Sequence, residues 1–166
     1  MMPIKSDRLI ITKFSPDDWE DYRRIFTNQQ VMEFITGRAL THKEAQKRFS
    51  EILKINDDNP DIGYFRANRL ADRKFVGTAK LVFTEKNSSE VGYTLLPEFW
   101  GLGYASEMLG MLVELAKGID EIHQLTAITD PQNKASIRIL EKYDFELFRS
   151  GSYNELPSVH YRRPVS

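Results

Sequence analysis

Between Ile62 and Leu96 apolar and polar residues alternate in three consecutive runs, 62–68, 75–84 and 90–96, and this period of two constrains the chain more than any other feature. Successive side chains of a strand point to opposite faces, so each run reads as a strand with one buried face. The short turn-prone segments Ala71-Asp-Arg-Lys74 and Lys86-Asn-Ser-Ser89 separate the runs, which makes them an antiparallel meander. Upstream, Arg8 to Phe14 alternates in the same way, and Ser15-Pro-Asp-Asp18 supplies a cap, a first-turn proline and acidic residues for a helix carrying Trp19, Tyr22 and Phe26. A capping box, Thr41-His-Lys-Glu44, opens a further helix with Ala45, Phe49, Ile52 and Leu53 on one face.

Downstream of the meander the pattern predicts a helix over 101–117, a strand over 124–129, a helix over 131–143 capped by Asp130, and two final strands over 145–149 and 159–162. The chain of 166 residues is long enough for one proper core and shows neither a repeat nor a linker. The expected fold is therefore α/β (α+β): a single domain over residues 1–166, with a central mixed, mostly antiparallel sheet of about six to seven strands flanked by about four helices.

Composition closes several functional classes. Lys+Arg 23 against Asp+Glu 24 gives a net charge of -1, which disfavours a nucleic-acid surface. No apolar run approaches the length of a membrane span, and no membrane partner is expected. With no cysteine there is no disulfide, thiolate metal site or thiol nucleophile; no histidine pair has metal spacing, and no G-x-S-x-G elbow supports a serine hydrolase. The start Met-Met-Pro-Ile-Lys-Ser-Asp lacks a signal-type apolar segment, so the expected location is cytoplasmic.

The helix opening at Gly101 carries the chemistry. Ala105, Met108, Leu109, Leu112, Val113 and Ala116 form an apolar stripe, whereas the first turn reads Trp100-Gly-Leu-Gly-Tyr-Ala-Ser106. Glycine costs up to about 1 kcal/mol relative to alanine in a helix, so two of them require a reason. One is access: bare backbone lets the unpaired N–H groups of a helix start approach a phosphate, whose charge the dipole favours. The other is a tight strand-to-helix turn, and glycines alone do not separate the two. A Rossmann fingerprint is excluded because Ser106 stands where its third glycine belongs, and a P-loop lacks its Gly-Lys-Ser/Thr. On the second helix Asn133, Ser136 and Leu140 fall at i, i+3, i+7, placing two polar side chains on a core stripe.

Together, Val91-Gly-Tyr-Thr-Leu-Leu-Pro-Glu-Phe-Trp-Gly-Leu-Gly-Tyr-Ala-Ser-Glu107 and Asn133-Lys-Ala-Ser-Ile-Arg-Ile-Leu-Glu-Lys142 resemble the two signature segments of the GNAT superfamily of acyl-CoA-dependent N-acyltransferases, and in particular its RimJ/RimL-like subgroup, which acetylates protein N-termini. The resemblance implies an N-acetyltransferase that uses acetyl-CoA as cosubstrate and no metal. Trp100, Gly101, Leu102, Gly103, Tyr104, Ala105 and Ser106 would cradle its pyrophosphate; Thr94, Leu95 and Leu96 would bond the pantetheine arm; Asn133 and Ser136 would face the thiol end. The tyrosine that protonates the departing thiolate in some members is replaced by Leu140, and resemblance to the Asn-x-x-Ser form of the subgroup implies Ser136 as the acid. Asp144 stands where the family has glycine.

Glu90, at the head of the third meander strand, is the candidate base, draining a proton through one water. Glu107 near the cofactor helix is equally explained by the dipole, and His160 in the last strand is within reach of the acceptor groove. In this family that groove is bounded by the early helices and the loop before the last strand, here 30–37 with Phe34, and 150–158 with Tyr153. The expected partner is an amine, either a protein N-terminus or a small molecule, acting on a monomer or homodimer. A non-catalytic acyl-CoA-binding regulatory module is the alternative.

Overall fold

The computed structural model describes residues 1–166. Eight strands form one sheet in the order β1-β2-β3-β4-β5-β6-β8-β7: β1 (Ile4–Lys5), β2 (Leu9–Lys13), β3 (Gly63–Arg69), β4 (Phe75–Glu85), β5 (Ser88–Leu95), β6 (Gln124–Thr129), β7 (Glu146–Tyr153) and β8 (Leu156–Pro164). Five helices accompany it: α1 (Trp19–Phe26), α2 (Gln29–Met32), α3 (His42–Asp58), α4 (Tyr104–Lys117) and α5 (Lys134–Lys142). The sheet is thus slightly larger than the sequence suggests. β1 is only two residues long and α2 a single turn, both too short to leave a periodicity.

The meander forms as expected: β3 to β4 to β5 pair antiparallel, and β5 alone pairs parallel, with β6. That parallel step requires a crossover, and α4 supplies it. Its stripe, Met108, Leu109, Leu112, Val113 and Ala116, is buried in one apolar cluster of 35 side chains that runs from Leu9 to Val165. On the opposite face of the sheet Arg66 of β3 bonds Asp18 and Asp21 at the head of α1. Buried Asn56 of α3 donates to the carbonyls of Phe14 and Tyr64 and accepts from the Tyr64 N–H, pinning α3 to β3.

Four boundaries move. Helix α4 begins at Tyr104, not 101, because Gly101 and Gly103 take positive φ and stand outside the helical region. Pro16–Asp18 is a 3-10 turn before α1. Helix α5 begins at Lys134, not 131, because Asn133, rather than Asp130, caps it by accepting from the Ser136 N–H at 3.2 Å. Asp130 instead closes the preceding turn through the Gln132 N–H. The segment 150–158, expected as a loop, belongs mostly to the β7–β8 hairpin, whose register runs from Glu146–Arg162 to Tyr153–Leu156. Gly151, Ser152 and Ser158 gave it a loop-like composition, and cross-strand pairing overrides that preference.

Candidate active site

The parallel ladder between β5 and β6 is short. It registers Ser88 to Glu90 against Gln124 to Thr126, yet β5 continues to Leu95 and β6 to Thr129. Beyond Glu90 the two strands separate, and their facing backbone edges form a wedge in the sheet. A cleft of about 490 Å³ opens there, lined by Tyr93, Thr94 and Leu95 of β5, by Trp100, Gly101 and Gly103 to Ser106 at the start of α4, and by Asn133, Ser136 and Ile139 of α5. Gln30, Val31 and Phe34, on and just after α2, close its far side.

The turn into α4 is built for backbone exposure. Gly101 and Gly103 adopt φ of 74° and 84°, the left-handed region that side chains disfavour, so the turn itself demands glycine. Access is met as well: a Cβ on Gly101 would stand in open space with no atom within 4 Å. The first helical hydrogen bond of α4 runs from the Glu107 N–H to the Gly103 carbonyl, which leaves the N–H groups of Tyr104, Ala105 and Ser106 without helical partners. These donors, at the positive end of a 14-residue helix, fit an anion of phosphate size.

A brace holds this loop from outside. Arg8 donates from Nη1 to the Leu102 carbonyl at 2.8 Å and from Nε to the Glu107 carboxylate at 2.7 Å, with its guanidinium 4.3 Å from the Tyr104 ring centre. Glu107 also accepts from Ser6 Oγ at 2.6 Å and from the Arg8 N–H at 2.9 Å. Burial pushes its carboxyl up, but the bonds from Ser6 and Arg8 outweigh this and hold it below the usual carboxylate value. Glu107 is therefore engaged in anchoring the N-terminal segment and faces no acceptor.

Among the residues expected to hold the cosubstrate, Leu96 and Leu102 do not line the cleft. Leu96 is buried with its N–H bonded to the Val76 carbonyl, and Leu102 is exposed and offers its carbonyl to Arg8. Trp100 closes back on the strand, its indole N–H donating to the Leu95 carbonyl at 3.0 Å. Thr94 is bonded to Thr78 through their hydroxyls, and Ser106 Oγ accepts from Lys142 at 2.9 Å.

At the inner end of the cleft the Tyr93 hydroxyl lies 3.0 Å from Ser136 Oγ. Burial pushes the Tyr93 phenol up to about 12, so it stays protonated, even though the Ser136 bond favours its ionised form. Sequence reasoning passed over Tyr93 because a tyrosine in a strand reads as packing. The signal available was the vacancy at Leu140 combined with the alternation that puts Tyr93 on the α5 face of β5.

Glu90 sits on the opposite face of the sheet. Its carboxylate is held by Lys80 Nζ at 2.5 Å, a partner one strand away that the sequence did not single out. Across the wedge on the same face lie Ile128 of β6, His160 of β8 and Arg149 of β7, which are consecutive partners in the ladder. His160 is buried, and its Nε2 lies 2.9 Å from Ser158 Oγ. Burial, reinforced by Arg149 and only partly opposed by Glu90, holds its imidazole below the ordinary value. No group of three His, Asp or Glu side chains is arranged to hold a metal ion, and no helix is long and apolar enough to cross a membrane. The arrangement combines an anion cradle, a slot between parted strands and two hydroxyls at its end, which suits a long ligand carrying a diphosphate at one end and a reacting group at the other.

The chain is similar to known proteins in sequence and in fold. A curated relative, the uncharacterized N-acetyltransferase YnaD of Bacillus subtilis, is 24% identical over 152 residues, covering 85% of this chain and 81% of the relative. Among solved structures, the Salmonella typhimurium acetyl transferase that modifies the N-terminal serine of ribosomal protein L7/L12 superposes with a TM-score of 0.83 at 15% identity over 99% of this chain and 100% of that one. Spermidine N-acetyltransferase from Vibrio cholerae, solved in complex with CoA and spermine, does so with a TM-score of 0.79 at 12% identity over 96% of each chain. The acetyltransferase (GNAT) domain profile matches residues 8–146, from Arg8 just before β2 to the first residue of β7, and the chain belongs to that family.

Proposed function

We propose that this acetyltransferase moves an acetyl group from acetyl-CoA to a primary amine by direct attack in a ternary complex. The observation that carries the reading is the continuity of the cleft: glycine-opened N–H donors at the head of α4, the unpaired edge of β5 and the Tyr93–Ser136 pair follow one another along a single slot. Bound acetyl-CoA supplies an activated thioester at the inner end of this slot. The N–H groups of Tyr104, Ala105 and Ser106 take the pyrophosphate, and the edge of β5 from Tyr93 to Leu95 takes the pantetheine amides by strand-like bonding.

The amine must arrive neutral. An α-amine with pKa near 8 is roughly a tenth neutral at pH 7, whereas an unperturbed lysine near 10.4 is less than about a thousandth neutral. Glu90, oriented by Lys80 on the acceptor side of the wedge, receives the excess proton through a water. On the other side the Tyr93 and Ser136 hydroxyls are 3.0 Å apart, and with Tyr93 as the donor the Ser136 hydrogen is free to point at the departing sulfur. Full proton transfer from Tyr93, at about 12, to a thiolate near 8.5 would be uphill by about 5 kcal/mol. The pair therefore stabilises the thiolate by hydrogen bonding, and solvent reprotonates it after release. This division of labour accommodates leucine at position 140.

The protein-directed and polyamine-directed relatives show that the fold does not fix the acceptor. The test is thiol release from acetyl-CoA over a panel of peptide N-termini and small amines. Acceptor-dependent release is expected for at least one class; tight CoA binding with no release across the panel would contradict transferase action.

A further inference from the structure

Building on the acetyl-transfer reading, we infer that the acceptor is an amine that also carries a carboxylate, and that Arg149, with His160 and Ser158 beneath it, is the subsite for that carboxylate. Cross-strand partners share a face of the sheet, so Glu90 with Thr126, and Ile128 with His160 and Arg149, all project to the acceptor side. Charge on this face is unevenly spent. Lys80 is taken by Glu90, and Arg162 lies over the Phe148 ring with Glu146 as its ladder partner. Arg149 makes no ion pair with a carboxylate; Arg162 makes none either, but its charge faces the Phe148 ring. Its Nη2 rests 3.3 Å and 3.4 Å from the two ring nitrogens of His160, an uncharged neighbour at neutral pH that leaves the guanidinium charge whole. His160 is in turn held by buried Ser158, so the exposed Arg149 side chain rests against a fixed ring.

The spacing defines the ligand. Neighbouring strands lie about 4.8 Å apart, so Arg149 on β7 starts two spacings, about 10 Å, from the wedge edge at Ile128. Its contact with the His160 ring brings the guanidinium back to about one spacing, ~5 Å, from that edge. An amine positioned in the wedge and a carboxylate on Arg149 are then separated by only a few bonds, as in small amino acids. A guanidinium fork matches a carboxylate with two parallel hydrogen bonds. The same charge repels a polyamine, whose second ammonium would fall where the carboxylate belongs.

The experiment compares kcat/KM for amino acids and for their carboxamides, with spermidine as a third acceptor, in the wild type and in Arg149→Gln, alongside the melting shift of each protein with acetyl-CoA. The acids are expected to exceed the amides by at least tenfold. Arg149→Gln should bring that ratio close to one while leaving the acetyl-CoA shift unchanged, and Arg149→Lys should retain part of the preference. Equal use of acids and amides by the wild type, a preference for spermidine, a ratio that survives Arg149→Gln, or a CoA shift with no turnover of any acid would each overturn the subsite. Absence of any acetyl-CoA shift would instead overturn the reading beneath it.

Discussion

Replacing Tyr93 with Phe removes one hydroxyl and keeps the ring that packs between β5 and α5. The lost contact is the 3.0 Å bond to Ser136 Oγ, between two neutral groups at the inner end of the cleft. A neutral hydrogen bond is worth about 0.5–1.5 kcal/mol net, so kcat is expected to fall by roughly two- to twelvefold if the bond is fully used as the thiolate departs. Acetyl-CoA affinity should stay within about twofold, because the diphosphate and pantetheine contacts lie elsewhere. The decisive assay is a double-mutant cycle in single turnover. Ser136→Ala should cost at least as much as Tyr93→Phe, and adding Tyr93→Phe to Ser136→Ala should cost almost nothing further, since Tyr93 acts through Ser136. The penalty should also shrink with a thioester whose leaving thiol has a lower pKa, a dependence that packing alone would not produce. Additive losses, or losses indifferent to the leaving group, would refute the relay.

Gly103→Val should weaken acetyl-CoA at least tenfold, because a β-branched residue resists φ of 84° and its Cβ would sit 3.2 Å from Arg8 Nη2; isothermal titration of the folded variant finding wild-type affinity would contradict the cradle. Asp144 holds φ of 65° at the end of α5, so Asp144→Gly should stabilise the fold by about 1 kcal/mol and raise the melting temperature by about 2–4 °C; an unchanged or lower value would mean that its side chain compensates. Because Glu107 has a folded pKa below its ordinary 4.5, its stabilisation is complete above that value and is lost as pH falls through the folded one. Glu107→Gln should flatten this part of the acid limb in urea midpoints, and an identical limb would remove the brace from the account.

The meander and the two signature helices were legible because burial on one face imposes a period, and a period survives in sequence. The sheet edges and the α2 turn were not, since two to four residues cannot show one. At the site, the glycines announced an unusual helix start, yet only their dihedral angles and the open space before Gly101 show that turn geometry and ligand access coincide. Asn133 borders the cleft as the N-cap of α5, but its capping of Ser136 depends on where the helix begins, and Asp130-Pro131 offers an equally good start signal. Lys80, Tyr93 and Arg149 were missed for one reason: each matters through a partner on a neighbouring strand or helix, at sequence separations of 10, 43 and 11 residues, and no local pattern encodes such pairs. The sequence offers Glu107 equally as a neighbour of the site and as a partner of the helix dipole, and its bonds to Ser6 and Arg8 mark it as an anchor.

The central claim is that the slot from α4 to Ser136 holds a CoA thioester, and a melting-temperature titration with acetyl-CoA, desulfo-CoA and ATP tests it before any acceptor is known. At 100 times its dissociation constant a ligand adds about 2.7 kcal/mol of stability, a shift of several degrees in a domain of this size. Saturable shifts with both CoA compounds and little response to ATP are the expected result. No shift with either CoA compound at millimolar concentration would contradict the claim and leave the opening of α4 as a turn alone.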